Sequence, residues 1–399
     1  MRQRRPLTIG LIGTRGVPAR YGGFETAVEE IGRRLAERGH DVVVYCRSAK
    51  GEPRPAQHLG MRLVHLPSVR HRAVETLSHT ALSVWHVLGH RVDAAIVFNA
   101  ANAPLLPLLR AARVPVATHV DGLEWQRAKW GPNGQRYYRA AESLSVRWSD
   151  ALIADAAGIA EYYTEEFDAP TRLIAYGAPQ VPAGVSDRLA ELDLTPGGYH
   201  LVVARFEPEN HVEISVAGYV ASGSTRPLVV VGSAPYAAQY TRAVHAAADE
   251  RVRFLGGVWD AELLDQLFAN ALTYLHGHSV GGTNPALLRA IGAGTATIAY
   301  DVSFNREVLG EDGWYFRTAA DVVDTIGWAE ADPAATAARG EALRERSRAY
   351  DWDLVTDGYE TLLRDLADRT VRRPGLSGRR RTAGRSGDGR PTTTMEAAR

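Results

Sequence analysis

The 399-residue chain has a single cysteine, Cys46, so it closes no internal disulfide and builds no cysteine-rich metal site, which fits a reducing compartment. Lysine is nearly absent: Lys50 and Lys129 stand beside 44 Arg. Net charge is lacking too, with 46 basic and 46 acidic residues, and no nucleic-acid partner is expected. No apolar run approaches a membrane span; Leu7 to Gly13, near the start, is far short of one and is not the h-region of a signal peptide. The chain is therefore expected to be cytoplasmic, neither secreted by that route nor integral to a membrane. At 45% hydrophobic and 23% charged residues, wholesale disorder and a collagen-like chain are excluded. At ~150 residues per domain, two domains fit, with room for a small third piece.

Charge is nevertheless uneven along the chain. From Val371 to Arg399, eight Arg face one Asp and one Glu, in a stretch rich in Gly, Ser, Thr and Pro. Such a segment buries no core and is expected to be disordered over 371–399. A solvated tail in an Arg-biased chain is the plain reading; contact with anionic lipid headgroups, at ~1 kcal/mol per basic residue near the surface, is the alternative.

Strand-like and helix-like patterns alternate. Leu7–Gly13 reads as a buried parallel strand, and Glu25–Arg38 as a helix, with Ala27, Val28, Ile31 and Leu35 on one face and a stop at Gly39. Asp41–Cys46 is the next strand. Strands at Arg62–Leu66, Ala94–Phe98, Val116–His119 and Ala151–Ala154 follow, with helices at Val74–Leu88, Leu105–Ala112 and Gln135–Trp148 between them. This is a doubly wound α/β domain over residues 1–178. Pro- and Gly-rich residues 179–198 read as a linker. A second series has strands at His200–Ala204, Leu228–Val231, Arg253–Leu255, Leu272–Leu275 and Thr297–Tyr300. Its helices are Val212–Ala221, Tyr236–Ala248, Ala261–Ala269 and Pro285–Ala293. That domain covers 199–350, with a closing amphipathic helix in 351–370. The fold class is thus α/β, two Rossmann-like domains in tandem, with the site in the cleft between them.

Four loops carry candidate chemistry. The first, Gly13 to Thr26, holds Gly22 and Gly23 at a helix start, where backbone N–H groups attract anions. Its Gly10, Gly13 and Gly16 do not make the dinucleotide fingerprint, and Cys46-Arg47 stands where an NAD ribose would need an acid, so a nicotinamide enzyme is disfavoured. The second, Thr118 to Trp130, sets His119, Asp121 and Glu124 beside Trp125 and Trp130, carboxylates and indoles suited to sugar hydroxyls and C–H faces; a surface loop anchored by tryptophan is the bland alternative. The third, His276 to Arg289, has Gly281-Gly282, then Thr283 and Asn284 as cap candidates, then Pro285 at a helix start: an anion receptor. His276 and His278, two apart, are weak evidence for metal, and none is expected. The fourth, Val203 to His211, offers Arg205 for a diphosphate, with an Arg–Glu surface pair as the alternative. Phe304 to Glu307 reads as a further hydroxyl-binding loop.

These residues resemble the retaining glycosyltransferases of family 4, which have the two-domain GT-B fold. Gly13–Thr26, Asp121–Trp125, Arg205–Asn210 and Gly281–Pro285 are similar to a bacterial subgroup that includes rhamnosyltransferases of polysaccharide assembly. The resemblance spans residues 7 to 368. It implies a nucleotide diphosphate-sugar as donor in the second domain, a glycan or polyprenyl-linked glycan acceptor in the first, and no cofactor. Arg205 and the backbone of Gly281, Gly282, Thr283 and Asn284 would hold the diphosphate, and Asn210 is a further substrate-binding candidate. Gly22 and Gly23 would approach it on closure; Asp121 with His119 would face the reacting sugar; Glu124 and Glu307 would bind hydroxyls. A polyprenyl acceptor implies peripheral contact with the inner membrane leaflet, and Leu77, Leu82, Val84, Trp85 and Leu88 are candidates for an interfacial face.

Two departures stand out. The family's Glu-x7-Glu pair is not intact: its first member is missing around Ser279–Gly281, and Arg289 stands at the second, where a nucleotide-ribose ligand is usual. The usual phosphate-binding Lys is replaced by Glu209-Asn210-His211. A non-catalytic nucleotide-sugar-binding protein with a donor site impaired at Arg289, or an epimerase of the same architecture, are the competing readings.

Overall fold

The structure is a computed structural model that describes residues 5–19, 22–48, 51, 53–69, 71, 74–120, 122–127, 130–233, 237–371 and 377–381. Asp121 and Lys129 lie outside the described residues.

The first domain is an eight-stranded sheet in the order β3-β4-β2-β1-β5-β6-β7-β8. Its strands are β1 (Thr8–Ile12), β2 (Asp41–Arg47), β3 (Gln57–His58), β4 (Met61–Leu66), β5 (Ala94–Phe98), β6 (Val116–His119), β7 (Ala151–Ala154) and β8 (Arg172–Leu173). All pairings are parallel except β3 with β4. Helices α1 (Gly23–Glu37), α2 (Glu75–Gly89), α3 (Leu106–Ala111), α4 (Pro132–Trp148) and α5 (Ala157–Phe167) alternate with them. Both faces are covered, so the central strands read as unbroken apolar runs: Ile9, Leu11 and Ile12 in β1 and all of β5 are buried. The α1 face named from spacing, Ala27, Val28, Ile31 and Leu35, is the buried one.

The second domain is a six-stranded parallel sheet ordered β11-β10-β9-β12-β13-β14. Its strands are β9 (His200–Val203), β10 (Leu228–Val231), β11 (Val252–Gly256), β12 (Thr273–His276), β13 (Thr297–Tyr300) and β14 (Trp314–Phe316). Its helices are α6 (Val212–Ser222), α7 (Ala238–Ala246), α8 (Ala261–Ala269), α9 (Pro285–Gly292), α10 (Ser303–Leu309), α11 (Ala319–Ala331) and α12 (Pro333–Ser347). Here the structure corrects the sequence reading. Phe304 to Glu307 is no loop but part of α10, which packs Phe304, Asn305, Val308 and Leu309 inward.

A last helix, α13 (Trp352–Ala367), returns to the first domain. Its Leu362, Leu363 and Leu366 share one apolar cluster with Ile9 and Leu11. Ion pairs join it to α1, Arg34 to Asp353 at 3.0 Å and Arg38 to Asp357 at 2.6 Å and to Glu360 at 2.9 Å. The chain's two passages between the domains run side by side: Ala178 N–H donates to Tyr350 O at 2.7 Å.

Within the tail, residues 377–381 lie on α4 and α5. The Arg380 guanidinium meets the buried carboxylate of Glu142, lies 2.9 Å from Glu166 Oε2, and donates to Tyr162 Oη at 2.7 Å. On α2, Val84 is core, whereas Leu82, Trp85 and Leu88 are 40%, 76% and 36% exposed. Among the described residues no helix is long and apolar enough to cross a membrane.

Candidate functional site

The loops singled out above follow β1, β6, β9 and β12, at the carboxyl ends of the parallel strands, where open α/β sheets hold their ligands. Two helices start there. Gly22, at φ 101°, precedes α1; Asn284 caps α9, its side chain accepting from Ala286 N–H at 2.9 Å, with Pro285 at the first helical position. The two starts face each other across the cleft, for a methyl group on Gly23 would lie 2.8 Å from Pro285 Cγ. Each carries about half a positive charge from its aligned peptide dipoles. Two such ends repel unless an anion sits between them.

Backbone meets backbone beside them. A methyl group on Gly122, from the first domain, would fall 2.4 Å from Gly281 Cα, and one on Gly282 would fall 2.0 Å from Asp155 Oδ1. Thr283 Oγ1 donates to Asp155 O at 2.7 Å, and both Glu307 carboxylate oxygens accept from Ala157 N–H, at 3.0 and 3.2 Å. The domains are thus in direct contact along the Gly281–Asn284 segment and α10.

The side chains expected to bind ligand also hold these loops. Thr283 spends its hydroxyl on Asp155, Asn284 on capping α9, and Glu307 on the first peptide of α5. Asn210 is buried and bridges Arg205 O to the His278 ring, giving its amide to the one at 2.8 Å and its oxygen to the other at 2.8 Å. Glu124 is also buried: it accepts from Trp130 Nε1 at 3.1 Å and lies 2.6 Å from Arg127 Nε. What they leave toward the cleft is backbone N–H and arginine. Arg205 is 40% exposed and 3.4 Å from Glu207.

His119, expected to face the reacting sugar beside Asp121, is an enclosed ring. The ring is fully buried among Phe24, Phe98 and Tyr176, with neither nitrogen hydrogen-bonded to protein. Burial pushes its pKa down to about 3, so at neutral pH it is an uncharged ring. His276, likewise enclosed, is pushed down to about 3. Burial, then the charge of Arg127, holds His278 well below the ordinary histidine value. Asp121, two residues after His119 in sequence, lies outside the described residues. Arg289 turns to α8, where its Nη1 is 3.3 Å from Asp265 Oδ1.

Sequence reading assigned no role to Arg127. Its signal was present, a cation within the aromatic and acidic loop after β6, but nothing in the sequence shows that this loop touches Gly281. It also missed Glu25, which reaches back from the first turn of α1 to accept from Arg15 N–H at 3.0 Å and whose pKa is raised by burial.

Comparison with known proteins accounts for both halves. Residues 22–177 match the glycosyl transferase 4-like domain, and residues 201–332 match the glycosyl transferases group 1 domain. A glycogen synthase of Mycobacterium tuberculosis is 25% identical over 375 residues, taking in 85% of this chain and 90% of that protein. Among solved structures, sucrose-phosphate synthase from Thermosynechococcus elongatus superposes with a TM-score of 0.79 at 22% identity, over 92% of this chain and 100% of the other. Anabaena HepE, solved with UDP-glucose, gives 0.71 at 17% identity, over 89% and 99%. At these identities the superpositions speak for the fold. The two matched domains and the two facing sheets together make the chain a glycosyltransferase of the GT-B fold.

Proposed function

We propose that the protein moves a hexose or deoxyhexose, with rhamnose as the working donor sugar, from a nucleoside diphosphate-sugar to a glycan or polyprenyl-linked glycan with retention. The observation that carries the reading is the pair of facing helix starts, α1 at Gly22–Gly23 and α9 at Asn284–Pro285, with Arg205 among the loops beside them. The chemistry needs a diphosphate leaving group stabilised while positive charge develops on the sugar ring. Fixed N–H dipoles and a guanidinium supply that without reorganising at the moment of reaction. The acceptor hydroxyl attacks from the leaving-group face, and the departing phosphate oxygen takes its proton, so no carboxylate pair is required. An uncharged, buried His119 is not needed as a base in this scheme. Anabaena HepE was solved with UDP-glucose, which supports a nucleotide-sugar donor here; the motif resemblance supports the deoxyhexose. For the acceptor, the exposed Leu82, Trp85 and Leu88 on α2 provide a face for a membrane surface.

Mass spectrometry of products from a panel of activated sugars tests the donor. Arg205→Ala is expected to cost ~2–4 kcal/mol of transition-state stabilisation, as loss of an oxyanion donor does; wild-type turnover by that variant overturns the role. Flotation with anionic vesicles tests the α2 face, with Trp85→Ser expected to reduce recovery.

A further inference from the structure

On the donor-site reading the second domain meets the diphosphate through Arg205, and Glu209-Asn210-His211, with no Lys or Arg, follows it. Asn210 is committed to Arg205 O and His278, and His211 donates from Nδ1–H to Gly277 O, 2.7 Å away, while its ring stacks 3.8 Å from Tyr300. The first domain fills this gap. Arg127 Nη2 lies 3.7 Å from where a side chain on Gly281 would begin, and its positive charge is felt at His278, beneath the same loop, together with that of Arg205. Glu124 Oε2 forms an ion pair with it, 2.6 Å from Nε, and Glu124 in turn accepts from Trp130 Nε1 at 3.1 Å. The Arg127 side chain is 15% exposed, so its charge sits where water screens little.

We propose that Arg127 is the first domain's cation for the donor diphosphate, brought to the Gly281 loop by domain closure, with Glu124 as its positioning residue. The inference rests on the donor-site reading above. Its consequence is that the cation set is complete only when the domains meet, so donor binding and closure are coupled.

Calorimetry with UDP, dTDP and GDP, alongside uridine, thymidine and guanosine, tests it on the full chain. For the nucleoside diphosphate that wild type binds, Arg127→Ala is expected to weaken affinity about 10-fold or more and leave the matching nucleoside within about twofold, with a lower melting temperature because the buried Glu124 loses its cation. Arg127→Lys should recover part of the loss, and Arg139→Ala, which removes a nearby arginine stacked 4.9 Å from the Trp125 ring, should change nothing. Undiminished diphosphate affinity in Arg127→Ala overturns the inference, as does an equal loss for the bare nucleoside. A wild type that binds none of the three diphosphates overturns the donor-site reading itself, and Arg127's role with it.

Discussion

Gly122→Ala is the sharpest perturbation the cleft offers. The added methyl would stand 2.4 Å from both Gly281 Cα and C and 2.7 Å from Gly281 O, whereas ordinary contact begins near 3.4 Å. All three atoms are backbone, so no flexible side chain can give way, and the loops must part by about 1 Å. A displacement of ~1 Å at a reacting centre costs on the order of 100-fold in rate, or ~2.7 kcal/mol. The substitution touches only the contact between domains, so the folding transition should stay where it is. The assay is kcat/KM for transfer from the donor found active in the product screen, beside a thermal melt. Gly131→Ala is the control, since nothing lies within 4 Å of a methyl group there. Wild-type kcat/KM in Gly122→Ala, with an unchanged melt, would show that catalysis does not use the closed contact.

Other consequences follow from buried ionisable groups. His79 is pushed down to about 4, and His119 and His276 to about 3, by burial first. A lowered folded pKa means stability is full above the unfolded value near 6.5 and is lost as pH falls below it; between pH 7 and 5 each histidine should cost about 2 kcal/mol. Denaturant titrations at the two pH values measure this, and His119→Phe should flatten the difference by about 2 kcal/mol; a slope unchanged by that variant refutes the assignment. Arg380→Ala strips the buried Glu142 of its ion pair and should cost ~1.5–3 kcal/mol. Burial already raises the Glu142 pKa, while Tyr162 and then Arg380 pull it down, so the loss should be greater at pH 8, where the carboxylate must stay charged, than at pH 5. An equal loss at both would point to packing against Phe167 instead, where the guanidinium lies 4.8 Å from the ring.

The sheets were legible because strands buried on both faces write themselves as short apolar runs. Ala94–Phe98, Val116–His119, Ala151–Ala154, Leu228–Val231 and Thr297–Tyr300 have the bounds read from sequence. The stretch between Tyr300 and Asp351 was not, for its helices are short or alanine-rich and show weak periodicity. The start of α11 was marked by a capping box, Thr318 with Asp321, that sequence reading passed over. At the site, glycine and proline announced the loops, because a close backbone approach or a helix start admits few other residues. The polar side chains have a structural task that the sequence does not show. Thr283, Asn284, Glu124 and Glu307 have the chemistry of ligand contacts, yet Thr283 and Glu307 meet partners far away in sequence, Asn284 caps its own helix and Glu124 pairs within its own loop. Only three-dimensional contact distinguishes a group that waits for a ligand from one that keeps a loop in place.

The return of α13 to the first sheet has a consequence for synthesis. Leu362, Leu363 and Leu366 finish a core that begins with Ile9. The ribosome must therefore release nearly the whole polypeptide before the domain made first can seal its interior. Until then that interior offers a greasy furrow to chaperones, and a gene fragment cut after the interdomain segment would encode an unfinished half. Supplying the missing terminal helix as a separate peptide would be the natural way to rescue it.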